Sequence, residues 1–203
     1  MNCKPAYNQT FRPYHPSPIF KFPLNENLKI YYLVRAMEIY EQARQRALKM
    51  VEEGIGTREI LAYLTTAAER AAGRGTVSSI LLLDKEGLLR NGASPRLPSD
   101  YLKAIDGLKP HAKVGTCAAA AATGNMVITE NFIADNKWAE LRHLPLALGF
   151  KGAWSMPILD ENGKVLGTFG TYFIETRVPS EREINGVTIL SKTAAAVLEG
   201  ARV

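Results

Sequence analysis

Gly115, Thr116 and Cys117 stand directly ahead of an alanine run, Ala118–Ala122, that Gly124 closes. Alanine is the strongest helix former, so the run predicts a short helix starting at Thr116. The first amides of such a helix, those of Cys117, Ala118 and Ala119, have no intrahelical acceptor, and the helix dipole adds partial positive charge there. A small anion or carboxylate is the chemistry this arrangement suits, with no charged side chain required. Cys117 adds a second chemistry, because a helix N-terminus stabilises thiolate and so favours redox reactivity. Against it stands the commoner role of cysteine as a small, buried, inert residue.

Other reactive residue types form no constellation. His15, His111 and His143 lack metal-ligand spacing, and the two cysteines, Cys3 and Cys117, cannot build a self-contained four-cysteine zinc site or a disulfide framework. There is no Gly-x-Ser-x-Gly elbow, phosphate loop or kinase signature. The carboxylates Asp84, Asp135, Asp160 and Glu161 fall mostly in turns, where solvation accounts for them. The expectation is a protein that is not an enzyme and carries no metal or other cofactor.

The chain has 203 residues with 46% apolar and 22% charged, which excludes a wholly disordered or collagen-like chain. Its formal charge of +5 is spread along the chain, with no basic stripe and no DNA-docking motif, so nucleic acid is not an expected partner. No stretch approaches the roughly 18 consecutive apolar residues of a membrane span. The prolines at 5, 13, 16, 18 and 23 interrupt any signal-peptide core, which makes the cytoplasm the expected location and a membrane no partner.

The elements that must hold these residues follow from pattern. Residues 1–27 interleave prolines with Tyr7, Phe11, Tyr14, Phe20 and Phe22 and read as an extended arm. Residues 28–52 read as a helix, with Leu33, Ala36, Tyr40, Ala43, Ala47 and Met50 on one stripe. The rest, 53–203, reads as one domain. Gly54 and Gly56 break the first helix, and Thr57 is placed to cap a second one running to Gly73. Val77 to Asp84 and Leu88 to Gly92 form a hairpin, and a short helix covers Asp100 to Asp106. After the alanine helix come a strand at Met126–Ile128 and a helix from Trp138 to Leu148 that Pro145 distorts or ends. Trp154 to Leu159 and Lys164 to Ile174 are strands joined at Asn162-Gly163, a strong hairpin signal. Ser180 and Glu183 form a capping-box pattern ahead of a final helix with Ile184, Val187, Leu190, Ala194 and Val197 on one face. The fold class is α+β, a mostly antiparallel sheet with helices covering it.

From about Thr57 to Leu198 the sequence resembles a GAF domain, the small-molecule sensor module of bacterial signalling proteins, in the branch found with sensor kinases and diguanylate cyclases. The resemblance rests on Asn91-Gly92-Ala93-Ser94-Pro95 with Leu97-Pro98, Val114-Gly115-Thr116-Cys117, Asn131-Phe132-Ile133-Ala134-Asp135 with Lys137-Trp138, Gly149 through Ile158, Gly163 through Phe169, and Arg177-Val178-Pro179-Ser180. Departures occur at Ala118, Asn136 and Gly152, where the branch usually has glycine, proline and a basic residue.

The resemblance implies a pocket on one face of the sheet, bounded by Thr116, Cys117, Ala118, Trp138, Ala153, Trp154 and Ser155, with both tryptophans as flat walls. It implies a regulatory domain binding a small, anionic or planar molecule, of which nitrate-like anions and small carboxylates are examples. Signalling would pass in trans through the terminal helices, which commonly form a homodimer bundle, to a sensor kinase or other signalling protein. Two rivals remain: an interaction scaffold with a vestigial pocket, and a redox-active Cys117.

Overall fold

A computed structural model describes residues 26–200. The arm expected at residues 1–27 lies almost wholly outside the described residues, as do the side chains of Leu33 and Ala36. Twelve elements follow: α1 (Glu26–Glu52), α2 (Thr57–Ala72), β1 (Thr76–Leu83), β2 (Leu89–Ala93), α3 (Ser99–Ile105), α4 (Cys117–Thr123), β3 (Val127–Thr129), a 3-10 turn (Asn136–Trp138), α5 (His143–Ala147), β4 (Gly152–Leu159), β5 (Val165–Phe173) and α6 (Glu181–Gly200). The strands make one antiparallel sheet in the order β2-β1-β5-β4-β3.

Strand side chains alternate between faces, so the sheet has two unlike cores. On one face Ile80, Trp154, Ile158, Phe169 and Phe173 pack with α1, α2 and α6. On the other Val77, Leu81, Ala153 and Tyr172 pack with Tyr101 and Ile105 of α3, Cys117 and Ala118 of α4, and Trp138. Tyr40, Ala43, Ala47 and Met50 of the expected α1 stripe are all buried in the first core. Burying each of Leu61, Leu64 and Leu190 completely there stabilises the fold by roughly 1.5–3 kcal/mol. Gly186 lets α6 approach α1 closely, because a Cβ at that position would overlap the Tyr40 ring.

Local chemistry explains where elements start and stop. The capping box at α6 forms: the Glu183 N–H donates to Ser180 Oγ at 3.3 Å and the Ser180 N–H donates back to Glu183 Oε2 at 2.8 Å. Thr57 does not cap α2; the cap position is Gly56, without a side-chain bond. The single helix expected from Trp138 to Leu148 is instead a 3-10 turn ending at Trp138 and a separate α5 beginning at His143. Pro145 has no N–H and its ring would strike the carbonyl four residues back, so a helix cannot pass through it from Trp138. It sits instead in the first turn of α5, where no intrahelical donor is needed. No helix among the described residues is long and apolar enough to cross a membrane.

Candidate functional site

The site builds outward from α4. This helix has seven residues, with Thr116 at its N-cap making no side-chain cap bond and Gly124 closing it in the left-handed region. Ala118, Ala119, Ala120 and Ala121 are buried, and the helix lies directly on β4 and β5. Gly170 of β5 permits that approach, since a methyl there would sit 2.9 Å from both Cys117 Sγ and Ser79 Oγ. The small residues of α4 therefore bring it close to the sheet.

Cys117 Sγ lies 3.2 Å from Ser155 Oγ. Burial pushes its thiol above the ordinary range, opposed by hydrogen bonding with Ser155, Thr168 and Thr116. A reactive thiolate requires the reverse shift.

Trp138 belongs to a chain of polar contacts. Its indole N–H donates to Thr129 Oγ1 at 3.1 Å, and that hydroxyl donates to Asp135 Oδ2 at 2.6 Å. Asp135 also accepts the Lys137 N–H at 2.9 Å and pairs with Lys137 Nζ at 2.7 Å. Burial alone would raise the Asp135 carboxyl, but the Lys137 and Thr129 bonds outweigh it and hold it below the usual range. With its N–H engaged, Trp138 offers a neighbour only its ring, which also packs on Phe132 at 4.4 Å between centroids.

Between α3, α4, Trp138 and the sheet lies a cavity of about 20 Å³, lined among others by Leu81, Tyr101, Thr116, Cys117, Trp138 and Tyr172. That volume holds about one water molecule. The Tyr101 O–H donates to Tyr172 Oη at 3.0 Å, and the two rings meet edge to face. Burial pushes both phenols up, so both are neutral across the physiological range. Among the described residues, no acidic or basic side chain lines the cavity.

Six of the seven residues expected at the site lie on one face of the sheet: Thr116, Cys117, Ala118, Trp138, Ala153 and Ser155. Trp154 does not join them. It stands between Ala153 and Ser155 on β4, so alternation turns it to the opposite face, among the residues that pack with α1, α2 and α6. Its Nε1 has no partner among the described residues. Tyr101, Tyr172, Thr129 and Asp135 were not anticipated. For Tyr172 a signal existed, because it falls two residues beyond Gly170 on one strand face; for Tyr101 there was none.

Residues 56–199 match the family profile for the GAF domain. The chain belongs to the GAF domain family. A curated relative, the "Methyl sulfide methyltransferase-associated sensor" of Methanosarcina acetivorans, is 34% identical over 158 residues, covering 77% of this chain and 16% of that protein. This GAF domain thus spans about a sixth of its relative's length. Among solved structures it resembles the GAF domain of a phosphoenolpyruvate-protein phosphotransferase from Coxiella burnetii at 16% identity, covering 82% of this chain and 96% of that one with a TM-score of 0.65. It also resembles free methionine-R-sulfoxide reductase from Neisseria meningitidis, solved with its substrate, at 16% identity, 84% and 92% coverage and a TM-score of 0.64. At such identities the two structures establish the fold alone.

Proposed function

We propose that this GAF domain is a ligand-sensing regulatory module. In this reading it binds a small planar molecule between Tyr101, Trp138 and Tyr172 and acts in trans on a sensor kinase or other signalling protein. It does so in the cytoplasm as a homodimer, through α1 and α6. One observation carries the reading. Consecutive residues of β4 touch the two halves of the molecule: Ser155 meets Cys117 at the cavity wall, while Trp154 packs in the core of α1, α2 and α6. A ligand that shifts β4 therefore shifts the helix layer directly.

The cavity holds about one water, so a larger ligand binds by displacing the 3-10 turn and α5, the short elements over it. Such displacement changes the helix layer only if the ligand prefers one of two packings. The planar rather than the anionic form of the expectation is favoured, because α4 is too short for a substantial dipole and the lining holds no cation among the described residues. The upward-shifted Cys117 thiol favours a non-enzymatic role. The family match and the sensor named among the relatives support regulation.

The smallness of the cavity favours a second reading, an interaction scaffold with a vestigial pocket. Calorimetric titration with nitrate, nitrite, acetate and the neutral planar probe pyrazole separates them. The sensor reading expects heat with pyrazole that Leu144→Phe, which fills the cavity from its lining, abolishes. Heat with nitrate alone restores the anion. No heat from any probe leaves the scaffold.

A further inference from the structure

A larger concavity opens at the end of the sheet where β1 begins and β5 ends. It measures about 730 Å³ and is lined by apolar side chains, chiefly Val77, Leu148, Phe150 and Ile174, with Arg74 and Arg96 on its rim. Pockets for small organic molecules fall in the same range, about 300–1,000 Å³. Among the described residues, the lining carries two guanidinium groups and no acidic side chain.

Arg96 is held in place from below. Its Nη1 donates to Glu69 Oε2 at 3.3 Å and to the Thr76 carbonyl at 3.4 Å. Glu69 is buried and anchored in turn by the Ser78 N–H at 2.8 Å. β2 pairs with β1 only as far as Ile80, so the Ser78 amide has this carboxylate for a partner in place of a β2 carbonyl. The Nε and Nη2 donors of Arg96 make no bond among the described residues, and the side chain is 60% exposed. A guanidinium fixed through one nitrogen, with its other donors open, is arranged to take a carboxylate.

We propose that this groove is a second ligand site, separate from the inner cavity, that binds a monocarboxylate through Arg96 with the ligand's apolar body along Val77, Leu148, Phe150 and Ile174. Phe150 lies 5.2 Å from the Tyr172 ring, which lines the inner cavity, so the two sites share an aromatic wall. An aliphatic acid and an aromatic acid present the same head group, and the groove's apolar floor suits either.

The test is calorimetric titration of the full chain with octanoate, phenylacetate and their neutral amides, octanamide and phenylacetamide. At least one acid binds, and its amide binds about tenfold or more weakly, because the amide loses the charge-assisted bonds. Which acid binds tells a lipid-derived from an aromatic ligand. Arg96→Gln removes the preference for acid over amide. Ala147→Glu, at an exposed lining position away from the Glu69 contact, weakens the acid by a similar factor without touching that ion pair. Absence of binding by both acids, equal binding of acid and amide, or unchanged affinity in both variants overturns the proposal. Acid binding in the groove is read without pyrazole, and pyrazole binding without acid, so failure of one site does not imply failure of the other.

Discussion

Trp138 and Trp154 are both buried, yet their indole N–H groups meet different fates. Trp138 donates to Thr129, which links it to Asp135, whereas Trp154 Nε1 has no partner among the described residues. Replacing each by phenylalanine removes a similar volume, so the difference between the variants isolates the hydrogen bond. Trp138→Phe is expected to lose about 1 kcal/mol more stability than Trp154→Phe in urea denaturation; equal losses would contradict the assigned network. At Cys117, burial raises the thiol, so in a Cys3→Ser background alkylation is slow in the folded protein and titrates above the ordinary ~8.5. A thiolate titrating below that value would revive the redox reading. The helix start at Thr116-Cys117 could be read from the alanine run. Trp154 lies on the other face because a strand through Ala153, Trp154 and Ser155 sends its middle residue there.

The helices of the first core depend on two contacts that can be broken singly. Gly186→Ala drives a methyl into the Tyr40 ring and separates α6 from α1, costing about 1–3 kcal/mol by thermal or urea unfolding. An unchanged midpoint would show that the two helices do not meet as described. Glu183 joins α6 to the segment before it. Burial alone would raise its carboxyl, but Arg177 and both the N–H and the hydroxyl of Ser180 hold it below the ordinary glutamate range. A carboxyl depressed on folding contributes stability that is complete above the unfolded pKa and is lost as pH falls through the folded one. Stability is therefore expected to decline below about pH 4.5, and Glu183→Gln to be less stable at neutral pH with a shallower acid decline. The same acid slope in the variant would assign the effect elsewhere. At this scale the capping box and the Asn162-Gly163 hairpin were readable because their signals are local. The break between Trp138 and His143 was visible only as a proline, and whether Pro145 would end, bend or begin a helix depended on the chain around it.

The described residues form a sheet whose faces differ in use: three long helices on one, and short helices with a cavity of about 20 Å³ on the other. The α+β class followed from element order and strand periodicity, and the sheet order agrees with two hairpins joined through β1 and β5. What the pattern could not supply was how closely α4 approaches Gly170, a distance no periodicity encodes. The central claim is that events at the cavity reach α6 through β4. Amide hydrogen exchange with and without pyrazole tests it most directly. The account predicts changed exchange both over residues 136–148 and along α6 when pyrazole binds. A change confined to 136–148, or none at all, would contradict it.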